Sequence, residues 1–464
     1  MNITNKIEFD RELIVKCQTN APRYTSYPTA DRFSLDFQEP QQLIQINKVF
    51  DALFNEAISL YIHIPFCNTL CLYCGCNKII TNDRKKITEY LVYLEKEFAL
   101  YHKLIGKKLS VVQLHLGGGS PSWLSVDEVT AVMQIVHKYF DMANAQEVSM
   151  ELDPRHVTTE FMEHLAKVGF NRVSLGVQDF DYKVQKAVNR IQPLEDTVRV
   201  LDDAKRLGFT STSIDLIYGL PLQNLESYKQ TIDIVINQLK PARIALFNYA
   251  HLPHLIMPQT RINEADLPSA DEKLDILQMC VEKLTQAGYV FIGMDHFALP
   301  DDELAIALKD GTLQRNFQGY STFADTHMLS FGVSSIGFVG NSYYQNVKDL
   351  ESYYRFLDNS NLPVLRGIVL NNDDVIRRDI IIKIMCQFEL DFDLIESVYG
   401  IKFSEYFADE LVELNDLQTL GLLVLLTDKL VITNKGRFLI RNVAKVFDKF
   451  LRQSASDKRY SKVI

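Results

Sequence analysis

Four of the seven cysteines fall within ten positions, as Cys67-x3-Cys71-x2-Cys74-x-Cys76. Two metal chemistries compete for that spacing. Four thiolates can close a tetrahedral zinc site, but zinc sites are usually built from two short knuckles separated by a longer loop. Here all four sulfurs sit on one short loop. Three thiolates at the first two spacings could instead hold three irons of a [4Fe–4S] cluster, leaving the fourth iron open as a reaction site. Seven cysteines in 464 residues are too few for a disulfide framework. Cys17, Cys280 and Cys386 are scattered. Cys280, at helical spacing from Leu277 and Leu284, and Cys386, after Ile380-Ile381-Ile382, read as small core residues.

A loop that carries a reactive cluster has to be held by regular elements. Short apolar runs at 59–66, 111–116, 147–152, 172–178, 212–220 and 243–250 predict six strands. Stretches with helical spacing lie between them; Ile87, Leu91, Leu94, Phe98 and Tyr101 share one helix face. Ser125-x-x-Glu128 and Ser269-x-x-Glu272 read as capping boxes. Regular strand–helix alternation implies an α/β fold with a parallel sheet, and six units would curl into a partial (β/α)6-type barrel. Cys67, Gly117-Gly118-Gly119, Asp153-Pro154, Gln178-Asp179 and Gly219 all fall just after a predicted strand. The carboxyl ends of parallel strands are where ligands bind, so the site is expected there.

An N-terminal arm covering the site is expected over 1–50, the barrel over 51–350 and a mainly helical C-terminal domain over 351–464, with a wing-like hairpin at 430–440. A 47% apolar and 23% charged composition describes an ordinary globular protein. The formal charge of −10 argues against broad affinity for nucleic acid or anionic membranes. No run approaches the ~18 apolar residues of a membrane span, and MNITNKIEFDREL lacks a signal peptide's apolar stretch, so a cytoplasmic location is expected.

The cysteine loop, directly after SLYIHIPF, resembles that of the radical S-adenosylmethionine superfamily. That resemblance implies that Cys67, Cys71 and Cys74 hold the cluster, that the open iron binds S-adenosylmethionine, and that Tyr73 contacts its adenosyl part. Cys76 would close the open position and is expected not to be a ligand. His115-Leu116-Gly117-Gly118-Gly119-Ser120-Pro121 resembles the glycine motif of that superfamily, with Ser120 where Thr is usual. Further segments carry a narrower resemblance: PRYTSYPTA at 22–30, YIHIPFC at 61–67, CGCNK at 74–78, GFNRVSLGVQDF at 169–180, IDLIYGLP at 214–221, FNYAHLP at 247–253 and MDHF at 294–297. Together they resemble the oxygen-independent coproporphyrinogen III oxidase (dehydrogenase) family.

That family resemblance implies cofactor contacts for Tyr61, Gly118, Gly119, Ser120, Glu151, Gln178, Arg190, Asp215, Ala250 and Ile336, some of them to a second S-adenosylmethionine beside the first. It implies that a one-electron donor such as flavodoxin or ferredoxin reduces the cluster, that a 5′-deoxyadenosyl radical forms, and that two propionates of coproporphyrinogen III become vinyl groups. No side-chain base is strong enough to break an unactivated C–H bond, so the cofactor must supply that power. Four substrate carboxylates require local cations in an acidic chain; Arg23, then Lys78, are the candidates, with Gln318 as a polar partner. His63 and His296 receive no role. A related haem chaperone that delivers haem is the rival reading, and a nucleic-acid binder a weaker one. Arg437, Arg441, Lys445, Lys449 and Arg452 would share one face if 436–452 were a helix, offering a basic stripe to an acidic electron carrier.

Overall fold

A computed structural model describes residues 7–50, 57–323 and 326–452. The chain divides into two compact units. One comprises Phe33–Lys273 and Asp325–Val369. Its sheet carries the predicted strands: β1 (Ile58–Ile64), β2 (Val111–Gly118), β3 (Glu147–Leu152), β4 (Arg172–Gln178), β5 (Ser211–Tyr218) and β6 (Arg243–Asn248), joined in that order and all parallel. Beyond β1 lies a seventh parallel strand, β7 (Met328–Phe331). Three antiparallel strands follow: β8 (Ile336–Val339), β9 (Ser342–Asn346) and β10 (Val364–Val369). The sheet thus runs past residue 350, where the barrel was expected to end.

Strand alternation decides what faces the interior of the curved sheet. In β4, Val173, Leu175 and Val177 are buried in the helix-facing core, while Ser174, Gly176 and Gln178 point the other way and stay half-buried. In β5, Ile214 and Leu216 are buried and Asp215 takes the opposite face. The helix Arg84–Ile105 buries Ile87, Leu91, Leu94, Phe98 and Tyr101, the predicted stripe. It also buries Glu97, which accepts hydrogen bonds from Gly332 N–H (2.7 Å), Asn346 Nδ2 (2.7 Å) and Tyr353 Oη (2.6 Å). Two turns earlier, Tyr90 Oη donates to the His63 carbonyl (2.7 Å) and accepts from Val333 N–H (3.2 Å). These contacts pin the turn after β7 to the end of β1.

The capping box at Ser125 is complete: Ser125 Oγ accepts from Glu128 N–H (3.2 Å) and Glu128 Oε2 accepts from Ser125 N–H (2.8 Å). Ser125→Ala should cost the helix Val126–Tyr139 about 1 kcal/mol, read as faster amide exchange in its first turn. At Ser269 the hydroxyl accepts from Glu272 N–H (3.2 Å), half of the predicted box.

The other unit comprises Met1–Arg32, Leu274–Ala324 and Leu370–Ile464. Part of its core joins Ile14, Cys17 and Ala21 to Leu274, Leu422 and Leu439. Helices Asn372–Gln387, Phe392–Tyr399 and Ala408–Thr419 accompany a small sheet of Glu389–Asp391, Lys429–Ile432 and Leu423–Leu425. The hairpin therefore spans 423–432, and Gly436–Leu439 forms a 3-10 turn where the wing was expected. The expected arm is divided. Residues 7–32 belong to this unit, whereas Ser34 pairs with Gly367 in the first, and 1–6 and 51–56 lie outside the described residues.

The basic stripe is corrected. Residues 436–452 are short 3-10 and α segments, not one helix. Arg437 and Arg441 are buried, at 2% and 3% exposure; Arg437 lies over the Phe388 ring and Arg441 donates to the Ala21 carbonyl. Lys449 is paired with Asp373 and Asp374, and Arg452 with Glu413. Helical spacing says which residues share a face and not whether water covers it. Lys458, Arg459 and Lys462 of that basic run lie outside the described residues. Among the described residues no helix is long and apolar enough to cross a membrane.

Candidate active site

The carboxyl ends of β1 to β5 surround a cavity whose empty space, counted with the solvent at its mouth, is about 740 Å³. One wall is the cysteine loop. Phe66–Cys67 pairs with Ile79–Ile80, so the loop leaves and returns along a two-stranded ladder. Cys67, Cys71, Cys74 and Cys76 all line the cavity, with Tyr73 and Lys78. Gln259 Nε2 donates to the carbonyls of Tyr73 (3.1 Å) and Ala250 (3.2 Å), tying the loop to the segment after β6. Lys78 Nζ donates to the Cys74 carbonyl (2.7 Å).

The glycine loop after β2 forms the next wall. Gly119 N–H donates to the Ile64 carbonyl and Ser120 N–H to that of Phe66, so this loop crosses directly beneath the end of β1. A Cβ on Gly119 would lie 2.8 Å from the Pro65 carbonyl carbon and 2.9 Å from Phe66 O, backbone that cannot yield. Gly118, at φ +115°, would drive a Cβ to 2.5 Å from the His63 ring. The glycines therefore serve close packing of two loops as well as the expected approach to a ligand. Ser120 Oγ accepts from the Cys67 thiol at 3.5 Å, so the hydroxyl expected to stand in for Thr is used. Gly119→Ala should leave the secondary structure intact but push the glycine loop away from Cys67, lowering iron content severalfold after anaerobic reconstitution; circular dichroism and iron analysis read both.

Across the cavity stand the strand-end carboxylates. Glu151 accepts from Gly118 N–H (3.1 Å) and meets His115 Nε2 (3.3 Å), whose ring stacks on Tyr61. Burial opposes its charge, but the His115 and Gly118 bonds hold its carboxyl below the usual range. Asp215, bonded to Ser174 Oγ (3.3 Å), is pushed up to about 7 by burial and then by the Glu151 charge. One carboxylate kept ionised beside one poised near neutrality can meet a cationic and a hydroxyl-bearing ligand group. Gln178 has φ +70° at a register break in β4, and it lines the cavity. Arg190 donates to Gly176 O (2.6 Å), Asp153 Oδ2 (3.0 Å) and Cys71 Sγ (3.6 Å).

An oxygen-independent coproporphyrinogen III oxidase of Salmonella typhimurium is 47% identical over 99% of this chain and 99% of its own length. The chain belongs to the oxygen-independent coproporphyrinogen III oxidase family. The relative of that name from Escherichia coli is 46% identical over 99% of both chains. The solved structure described as coproporphyrinogen III oxidase (HemN) from Escherichia coli, a radical SAM enzyme, superposes with a TM-score of 0.91 at 46% identity, covering 96% of this chain and 99% of that one. Residues 61–235 match the radical SAM superfamily and 370–439 the HemN C-terminal domain. The fold is thus a radical SAM α/β fold with a helical C-terminal region, and the protein is a radical SAM enzyme.

The family implies a [4Fe–4S] cluster and S-adenosylmethionine. The donor set fits both: soft thiols on one wall with a buried guanidinium against one of them, glycine backbone beside them, and carboxylates at the strand ends. Of the cofactor contacts expected from the sequence, three do not line the cavity. Tyr61 sits beside it, its hydroxyl 3.1 Å from His63 Nδ1. Ala250 faces Gln259, and the carbonyl of Ile336 in β8 accepts from Ser330 Oγ (2.6 Å). Of the substrate candidates, only Lys78 lines it. Arg23 and Gln318 belong to the other unit, where Arg23 pairs with Asp295 and Gln318 N–H donates to Asn316 Oδ1 (2.9 Å). His115, Ser174, Thr69 and Arg155 were not foreseen. Thr69 and Arg155 line the cavity, and Arg155 follows β3 by only three residues, a strand-end position that could have drawn attention to it.

Proposed function

We infer that this chain converts coproporphyrinogen III to protoporphyrinogen IX in haem biosynthesis, turning two propionates into vinyl groups without oxygen. The observation that carries this reading is a loop of four cysteines opening on a cavity rimmed by Glu151, Asp215 and Arg190, in a chain similar to named oxidases over almost its whole length. When bound, the reduced cluster and S-adenosylmethionine would supply a radical able to take one β-hydrogen atom from a propionate. The propionate then releases carbon dioxide and one electron to an acceptor, leaving the vinyl group. Cys67, Cys71 and Cys74 hold three irons. Tyr73, Gly118, Gly119, Ser120, Glu151, Gln178, Arg190 and Asp215 would surround S-adenosylmethionine, and Tyr61, Ala250 and Ile336, which do not line the cavity, are assigned to it by family resemblance.

The protein contributes placement and dryness. Ionised Glu151 suits the ammonium of a methionyl group. Lys78, whose ammonium lines the cavity beside the Cys74 and Cys76 carbonyls and the Cys74 thiol, offers its charge to a substrate carboxylate. A second S-adenosylmethionine beside the first follows from the family resemblance alone; equilibrium dialysis of the holoenzyme reads that stoichiometry. A flavodoxin or ferredoxin remains the class of electron donor, without the basic stripe as its docking site.

Anaerobic incubation of the reconstituted enzyme with coproporphyrinogen III, S-adenosylmethionine and dithionite, followed by mass analysis, should show loss of two carboxyl groups per tetrapyrrole. Haem binding with no decarboxylation would favour the haem-carrier reading instead.

A further inference from the structure

Asp153 follows β3 and is 4% exposed. Its carboxylate serves two guanidiniums. Oδ1 accepts from Arg155 Nε (2.9 Å) and from Arg155 N–H (3.2 Å), and Oδ2 accepts from Arg155 NH2 (2.6 Å) and Arg190 NH1 (3.0 Å). Its own N–H is fixed by Ser122 Oγ (2.8 Å), so the carboxylate cannot swing away freely. Arg155 reaches in addition to Thr69 Oγ1 (3.3 Å), on the cysteine loop between Cys67 and Cys71. Arg190, the second guanidinium, ends at Cys71 Sγ (3.6 Å). All three side chains line the cavity and are at least four-fifths buried, so solvent screens their charges poorly. Two cations against one anion leave one positive charge in excess, and geometry delivers it to a ligand sulfur.

We propose that Asp153 and Arg155 are positioning residues that hold Arg190 against Cys71, and that the surplus charge of this trio sets the reduction potential of the cluster. The inference rests on Cys71 being a cluster ligand. Reduction adds one electron to the cluster, so a nearby positive charge favours the reduced form and raises the potential, as does a hydrogen bond to a ligand sulfur. Removing Arg155 leaves Asp153 to neutralise Arg190 alone and abolishes the surplus. Removing the charge of Asp153 doubles it. The two substitutions must therefore move the potential in opposite directions.

The test is an EPR-monitored redox titration of the reconstituted holoenzyme, with iron content measured on each variant. Arg155→Gln should shift the reduction equilibrium about tenfold toward the oxidised cluster, a fall of about 59 mV for one electron, and Arg155→Lys should recover most of it. Asp153→Asn should shift it the other way. Thr69→Val, which removes the loop contact but no charge, should leave the potential of the bound cluster where it was. A merely structural Arg155 would lower iron content and leave the potential of the remaining clusters unchanged, and that result overturns the proposal. So does a Thr69→Val shift equal to that of Arg155→Gln. If Arg155→Gln binds no iron, Asp153→Asn decides: a raised potential supports the proposal, and an unchanged or lowered one overturns it. A wild-type protein that binds no cluster would refute the cysteine reading instead, before any titration.

Discussion

Cys67→Ser, Cys71→Ser and Cys74→Ser should each abolish cluster binding, whereas Cys76→Ser should retain it. A serine hydroxyl is a far harder and less acidic donor than a thiol, so it does not replace a thiolate at iron. Cys67 and Cys71 are buried in the cavity wall, and Cys74 is held by Lys78 at its carbonyl. Cys76 is exposed overall although it too lines the cavity. With three ligands the fourth iron is left for substrate chemistry, and a fourth thiolate there would remove the open position. Iron and sulfide per chain after anaerobic reconstitution, with the visible cluster absorption, separate the four variants. Iron loss in Cys76→Ser as complete as in the other three would sink the three-ligand reading, and S-adenosylmethionine cleavage would then need another explanation.

The second large effect belongs to Glu97, far from any chemistry. Glu97→Ala leaves the Gly332 amide, the Asn346 amide group and the Tyr353 hydroxyl without their shared acceptor in a fully enclosed place. The expected loss is about 3 kcal/mol or more, since each buried donor left without an acceptor costs ~1–3 kcal/mol. Glu97→Gln keeps the shape and one acceptor oxygen, and should lose much less. Burial raises the carboxyl of Glu97 to about 7 against an ordinary value of 4.5, although its three hydrogen bonds oppose the shift. A carboxyl whose folded pKa is raised stabilises the fold fully below its unfolded pKa and loses that contribution as pH climbs through the folded value. The wild type should therefore lose urea resistance between pH 4.5 and about 7 relative to Glu97→Gln, by an amount on the order of 3 kcal/mol. Parallel urea midpoints across that window for both proteins would contradict the assignment.

Much of the first unit was legible because its signals are local. A strand such as RVSLGVQ announces its period of two, and that period alone places Ser174, Gly176 and Gln178 together on one face. The capping serine and the apolar stripe of Arg84–Ile105 are legible for the same reason. The named cofactor contacts came from family resemblance, and residue chemistry alone would have left Asp215 and Glu151 as strand-end caps. What escaped depends on distant partners. β7, β8 and β9 are four or five residues long and lack crossover helices, so no periodicity marks them. Asp153-Pro154-Arg155 reads as a turn until Arg190, 37 positions later, arrives on the same carboxylate. The basic run misled because Arg441 finds the carbonyl of Ala21 420 residues upstream.

That last contact belongs to a unit assembled from three stretches of chain, and synthesis on the ribosome meets those stretches far apart in time. The first unit has all of its residues once Val369 is made, whereas the core around Ile14, Cys17 and Ala21 needs Leu439, 70 residues later. At roughly 5–20 residues per second, that interval lasts on the order of several seconds. Ile14, Cys17 and Ala21 emerge long before Leu422 and Leu439, so through most of translation no distant member of their buried cluster other than Leu274 is available. A nascent chain of this protein thus carries a finished cofactor-binding unit and an incompletely paired apolar leader at once, and that leader is the place where holdase chaperones would be expected to bind.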